Sequence, residues 1–303
     1  MALPSHASPL ERAWRAVYLV LCGLIFLFLI APILIVIPLS FNAEPYFTFT
    51  DGMLAFDPDA YSLRWYDILL TRGMSAAEAV RDASWWRDAW ANSDWIAAAK
   101  NSLIIGLFST LLATFLGTLA ALGLSRPEMP FRRAIMAILI SPMIVPIIIT
   151  ATGLFFFYSS TGLANSYPGI VMAHATLGIP FVIITVTATL VGFDHSLTRA
   201  AASLGANPRT TFFKITMPLI LPGVISGALF AFVTSFDEVV VVLFVAAHDQ
   251  QTIPRQMWNG IREQISPAIL SVATILVVIS IALLATVELL RRRSERLRGL
   301  SPG

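Results

Sequence analysis

The chain has 303 residues, 57% of them hydrophobic and 13% charged, with a formal net charge of +2 and a mean hydropathy of +0.77. An ordinary soluble domain carries roughly 25% charged residues, so this is the composition of a membrane protein, and so small a net charge gives no basis for nucleic-acid binding. The single cysteine, Cys22, lies inside an apolar run, which excludes a disulfide framework and a cysteine metal site.

A basic N-terminal arm, residues 1–15 with Arg12 and Arg15, leads into a first apolar run over 16–39. A bilayer core of about 30 Å needs about 20 helical residues, and further runs of that length occupy 101–124, 134–158, 169–193, 219–245 and 268–290. The expectation is an all-α polytopic membrane protein of about six transmembrane helices, with a transmembrane domain over 16–290. The first run is too long for a signal-peptide core and no small-residue cleavage site follows it, so it is expected to be retained. Ser125, Pro127 and Pro130 mark one turn, and Thr161-Gly162 and Tyr167-Pro168-Gly169 another.

Between the first two runs, residues 41–100 are extramembrane and alternate acids (Asp51, Asp57, Asp59, Asp67, Asp82, Asp88, Asp94) with tryptophans (Trp65, Trp85, Trp86, Trp90, Trp95). Two readings fit: an interfacial helix whose tryptophans sit among lipid headgroups, or a docking surface for an external partner. Arginine and lysine set the orientation. Arg126, Arg132 and Arg133 follow the second run, Arg199, Arg209 and Lys214 the fourth, and Arg291, Arg292, Arg293, Arg296 and Arg298 fill the tail 291–303. The short connections on the other side hold Arg255 and Arg262, so both termini and the loop 194–218 are expected to be cytoplasmic.

Inside the runs, Pro142, Pro146 and Pro180 predict helix kinks. Gly223 and Gly227 make a small-residue face for close helix contact, which a partner subunit could use. Asp237 and Glu238 stand side by side in the fifth run, where an ionisable group costs at least about 2.5 kcal/mol and usually faces a bundle interior or a watery path. On a continuous helix Asp237 lies about 22 Å from the inner edge, and adjacent side chains diverge by about 100°, so only one of the two can face a given path. The alternatives are a substrate-path carboxylate and a structural pair with a neighbouring helix. His174, in the fourth run, is either a further substrate-path candidate or a histidine satisfied by a nearby hydroxyl or carbonyl.

The loop after the fourth run is the most informative segment. Ser196 is a plausible N-cap; Leu197, Ala200, Ala201 and Leu204 fall at helical spacing; and Gly205 stops the helix. Asn207-Pro208 starts a second helix, with Phe212, Phe213 and Met217 as bulky apolar contacts. A helix so short needs a partner surface. A phosphate-cradling Gly-rich loop, a nucleophile elbow, a His-Glu-x-x-His pair and a Cys/His cluster are all missing from the sequence, so an enzyme is not expected.

The stretch AAASLGANPRTTFFKITMPLILPG, starting at Ala200, resembles the EAA motif of ATP-binding-cassette importer permeases. Ala200, Ala201, Leu204, Gly205, Ala206, Phe212, Pro218, Pro222 and Gly223 fall in register, with Met217 where leucine is usual. Asn101-Ser102-Leu103, Ala173-His174, Ile179-Pro180, SFDE ending at Glu238 and IPRQMWNGIREQISP ending at Pro267 extend the likeness, which is to the permeases of spermidine and putrescine systems, from Asn101 onward. The resemblance implies a type I importer in the bacterial inner membrane. Its partners would be a second permease subunit, in a heterodimer, a cytoplasmic ATPase dimer that carries ATP and Mg, and a periplasmic substrate-binding protein; this chain would carry no cofactor. Arg199, Ala200, Ala201, Leu204, Gly205, Ala206, Pro208 and Phe212 would form the coupling helix seated on the ATPase. Arg199 stands where the motif has glutamate, so a salt bridge from that position would be lost or reversed. Another organic solute, or a stand-alone secondary transporter using Asp237, Glu238 and His174 as a relay, are the alternatives.

Overall fold

In a lipid core every backbone polar group must be bonded within the chain, which leaves an apolar run the choice of helix or closed barrel. A computed structural model of the protein describes residues 8–126, 128–194, 196–263 and 266–297. Pro127, Gln264, Ile265 and Arg298 lie outside the described residues, as do the side chains of Arg291, Arg292, Arg293 and Arg296. The helices in chain order are α1 Pro9–Leu39, α2 Asp51–Leu54, α3 Arg64–Thr71, α4 Ala83–Asn92, α5 Asp94–Leu124, α6 Arg132–Ile140 and α7 Ile147–Thr161. They continue as α8 Tyr167–Val191, α9 Ser196–Ser203, α10 Pro208–Thr211, α11 Met217–Phe236, α12 Val240–Val245, α13 Ile253–Glu263 and α14 Ala268–Leu297.

Among the described residues four helices are long and apolar enough to cross a membrane: α1, α5, α8 and the stretch Pro208–Phe236. The predicted third span is not one helix. Its halves, Arg132–Met143 and Ile147–Thr161, meet at 96°, and counting them together gives a fifth span. Pro142 sits in a single 3-10 turn and Pro146 is the N-cap of α7, so two prolines four residues apart break the run instead of kinking it. The last apolar stretch, Ala268–Ala282, is a shorter part of α14. Two predicted spans start earlier than expected. Ser8 and Glu11 form a capping box that opens α1 at Pro9, inside the expected arm, and Ser93 caps α5 at Asp94.

The chain divides into two units, residues 1–72 with 260–303, and 73–259. In the first, α14 packs against α1 and α3. Ser40 closes α1, its hydroxyl 2.6 Å from the Ile37 carbonyl and 2.7 Å from the Tyr66 hydroxyl, while Ser271 of α14 donates to the Ser40 carbonyl at 3.3 Å. Trp65 donates to the Asn42 carbonyl at 2.7 Å, and Asn42 itself holds the Tyr46 and Thr48 carbonyls, which folds the start of the extramembrane segment.

The second unit is built on α5, α8 and α11. Helices α5 and α8 run parallel, because Asn101 meets Tyr167 at one end and Gly117 meets Val182 further along, and α11 runs antiparallel to both. Small residues set the spacing: Gly117 lies on Val182, Gly178 on Ala113 and Ala231, and Gly223 and Gly227 on Thr189 and Thr185. The Gly223/Gly227 face is therefore filled by α8 of the same chain and is not available to a partner subunit. A second apolar cluster joins Ala151 and Tyr158 of α7, Ile170, Ala173 and Leu177 of α8, and Val241, Val242 and Val245 of α12.

A Cβ on Gly227 would stand 2.5 Å from Thr185 Oγ1 and 2.8 Å from Val182 Cα, whereas one on Gly123 would meet nothing within 4 Å. Gly227→Ala is expected to cost about 1–3 kcal/mol by overpacking and to lower the thermal midpoint of the purified protein in detergent, with Gly123→Ala at or above wild type. Equal midpoints for the two variants would refute the close approach of α8 and α11.

Candidate coupling loop and substrate path

The cytoplasmic-loop candidates fold as two short helices around a reversal. The Asp194 carboxylate receives the Ser196 N–H at 2.8 Å and the Ser196 hydroxyl at 2.6 Å. Ser196 is thus not the cap that its position suggests: the hydroxyl is used as a donor to an acid two residues upstream, and Ser196 becomes the first helical residue. At the other end the Ala206 N–H reaches the Ala201 carbonyl and the Gly205 N–H the Ala202 carbonyl, both at 3.0 Å, with Gly205 at φ +85°. This pair of bonds satisfies the last carbonyls of α9 and requires a left-handed residue where glycine stands. Asn207 then caps α10, its side chain accepting from Thr210 N at 2.8 Å, with Pro208 at the first position. A π-helical turn over Phe212–Thr216 carries the chain into α11.

The expected apolar stripe splits between two directions. Ala201 is buried, but Leu197 is 43%, Leu204 89% and Phe213 67% exposed, and Arg199, Ala200 and Pro208 are exposed with them; Phe212 and Ala206 are half-buried. The loop therefore has a rigid backbone with bulky apolar side chains facing outward.

The other candidates meet at a break in the fifth run. The predicted continuous helix stops at Phe236, with Asp237 as C-cap, and α12 begins at Val240. The rise of about 22 Å counted from Pro222 to Asp237 runs along the unbroken part of α11, whereas the divergence of about 100° does not apply, because Glu238 lies beyond the end of that helix. Glu238 causes the difference: its carboxylate turns back to accept the Val241 N–H at 2.8 Å, satisfying a donor at the start of α12. Glu238 is 7% exposed and committed to this backbone bond, whereas Asp237 is exposed. The two carboxylates are adjacent in sequence and different in role.

His174 is 1% exposed, and its Nδ1 shares a 2.8 Å hydrogen bond with Ser235 Oγ, two residues before Asp237. Its Nε2 has no hydrogen-bond partner among the described residues. The structure brings His174 to the α8–α11 contact beside the break, buried, and does not bring it to a surface.

Arg255, Asn101 and Ser102 were not predicted as site residues. The Arg255 guanidinium donates through Nη1 to the carbonyls of Val242, Ala246 and Ala247, at 3.0, 3.1 and 3.3 Å, and so closes the end of α12 that Glu238 does not; burial pulls its pKa below the ordinary arginine value. Asn101 Nδ2 donates to the Asp249 and Gln251 carbonyls, both at 2.9 Å, and Ser102 Oγ accepts the Ile253 N–H at 2.8 Å. The signal available was that Asn101-Ser102 and Ile253-Pro254-Arg255 both carry the family likeness. Their contact, across some 150 residues of chain, needs the fold.

Residues 113–296, from the middle of α5 through α14, match the family described as binding-protein-dependent transport system inner membrane component. The chain belongs to this family. It is therefore a transport subunit and a multi-pass membrane protein. The chain is 32% identical to the spermidine/putrescine transport system permease protein PotC of Haemophilus influenzae over 80% of this chain and 89% of that one. It is 30% identical to the putrescine transport system permease protein PotI of Escherichia coli K12 over 98% and 97%. A solved bacterial ABC transporter involved in import of the acidic polysaccharide alginate superposes with a TM-score of 0.66 at 18% identity, covering 95% of this chain and 99% of that one, and shares the permease fold.

The break makes a prediction that separates its two acids. Glu238→Ala is expected to cost about 0.5–2 kcal/mol, as for a lost helix cap, and Glu238→Gln, which keeps an acceptor oxygen, to restore most of it. Asp237→Ala should leave the thermal midpoint at the wild-type value. If Glu238→Ala and Asp237→Ala are equally stable, the cap is not what fixes the break.

Proposed function

We propose that the chain is one permease subunit of an ATP-driven importer that moves a small polyamine, putrescine or spermidine, inward across the bacterial inner membrane. The carrying observation is the match along nearly the whole chain to permeases named for putrescine and spermidine. An exposed Asp237 beside a buried, bonded Glu238 supports it, because a flexible dication needs a carboxylate that is not already spent on the backbone. Both termini and the loop 194–218 face the cytoplasm, a reading that rests on the arginine distribution. On that side α9, with exposed Leu197, Arg199 and Ala200 and with Leu204 just after it, seats on an ATPase dimer that carries ATP and Mg. A second permease completes the pathway as a heterodimer, and a periplasmic binding protein delivers the solute.

Coupling through α9 needs a fixed reversal, and Gly205 supplies it. A β-branched residue there meets open space but is strained at φ +85°. Gly205→Val is therefore expected to let the assembled complex hydrolyse ATP while uptake falls; normal uptake in that variant would remove α9 from coupling. Arg199→Glu should change ATPase affinity in a salt-dependent manner.

The substrate claim is tested by ATP-dependent uptake of labelled putrescine in proteoliposomes holding the whole transporter. Asp237→Asn should raise the KM about tenfold, in line with one lost bond to a charged group. Uptake that putrescine and spermidine fail to compete would sink the polyamine assignment, and flux without ATP would sink the importer.

A further inference from the structure

Helix α4 precedes α5 with a single residue between them. Ser93 ends the first, its N–H bonded to the Ala89 carbonyl at 3.0 Å, and caps the second, its hydroxyl accepting from Ile96 N at 3.4 Å. The other end of α4 is held by Asp82, whose carboxylate receives the Ser84 and Trp85 N–H groups at 2.8 and 2.9 Å; the bond from the Ser84 hydroxyl, and then that from Trp85 N–H, hold its carboxyl below the usual range. Trp85 and Ala89 are 2% and 1% exposed, and α4 packs against α5. One turn apart on the remaining surface, Trp86 is 52% and Trp90 64% exposed. A capped, packed helix thus displays two indoles outward.

Lys100 fixes the level at which they lie. Its ammonium donates to the Trp90 carbonyl at 2.7 Å and stands 5.1 Å from the centroid of the Trp90 ring. From Lys100 the next charged residue is Arg126, and that separation on a helix is about 39 Å, enough for the hydrocarbon core of about 30 Å and part of the headgroup layers. Lys100 is therefore at the boundary of the span. One turn below it begins a column of exposed leucines on α5, Leu103, Leu107 and Leu111, at 58%, 53% and 57%. Lys100 thus ties the Trp90 ring to the end of α5 at which this exposed apolar column begins, and an indole beside an ammonium at the edge of such a column suits headgroup depth. Of the acids on or next to α4, Asp82 is engaged by the cap and Asp88 through one oxygen by the Asn92 side chain. Arg87 is exposed and remains on the same helix.

We infer that α4 is a lipid-docking helix, lying in the phospholipid headgroup layer at the N-terminal end of α5, with Trp86 and Trp90 inserted and Lys100 beside the phosphates. The alternative occupant, the external binding protein, has no comparable continuity with the lipid-facing column of α5.

The test uses the complete transporter in nanodiscs of phosphatidylethanolamine and phosphatidylglycerol, with lipids brominated either near the headgroup or near the chain end. Fluorescence of the wild type minus that of Trp86→Phe/Trp90→Phe isolates the two indoles, and phenylalanine keeps the helix apolar. The expected result is loss of this difference signal with shallow bromine, little loss with deep bromine, and no loss with aqueous iodide. Quenching by iodide but not by bromolipid overturns the proposal, as does protection from iodide that appears on adding the binding protein. The outcome does not depend on which solute is carried.

Discussion

The close approach of α8 to α11 and α5 is the constraint on which the rest of the second unit depends. Lipid tails are as apolar as the helix surfaces, so association here comes from packing and hydrogen bonding, not from expulsion of water. Glycine at 117, 178, 223 and 227 lets neighbouring backbones and β-carbons come within van der Waals distance. That proximity places His174 against Ser235 and fixes where α11 ends. The reversal at Gly205 and the π-helical turn over Phe212–Thr216 connect α9 to α11 along the chain.

A broken helix inside an apolar run exposes backbone donors and acceptors, and the two charged side chains around α12 answer that need. Glu238 supplies an acceptor at its first turn and Arg255 donors at its last, each with the sign that suits the local end of the helix dipole. Removing either partner leaves unbonded backbone groups in a place with little water. Glu238 is occupied and buried in this way, whereas Asp237 beside it is exposed. An acid pair that looks redundant in sequence is divided between a buried backbone cap and an exposed carboxylate.

The loop after α8 illustrates a complementary economy. Its conformation is determined locally, by Asp194, by the two bonds around Gly205 and by the Asn207 cap. Its outward side chains, Leu197, Leu204 and Phe213, make little contact with their own chain. The loop thus combines a locally bonded backbone with exposed apolar side chains, and Arg199 stands exposed among them where the motif that the loop resembles has glutamate.

The sequence by itself determined the membrane class, the all-α fold, the family, the stop at Gly205 and the start at Asn207-Pro208. The family comes from the resemblance of the loop after α8 to the EAA motif, and each of the others follows from composition, from runs long enough to span a bilayer, or from residues whose backbone preference is local. Only the tertiary structure decided that the third and fifth runs are broken, that Gly223 and Gly227 face α8, and that Arg255 and Asn101 clamp segments distant in sequence. Hydropathy counts apolar residues without sensing where a carboxylate turns back onto the backbone. Periodicity finds a small-residue face without naming what fills it, because the partner is fixed by packing between helices that the chain brings together only on folding.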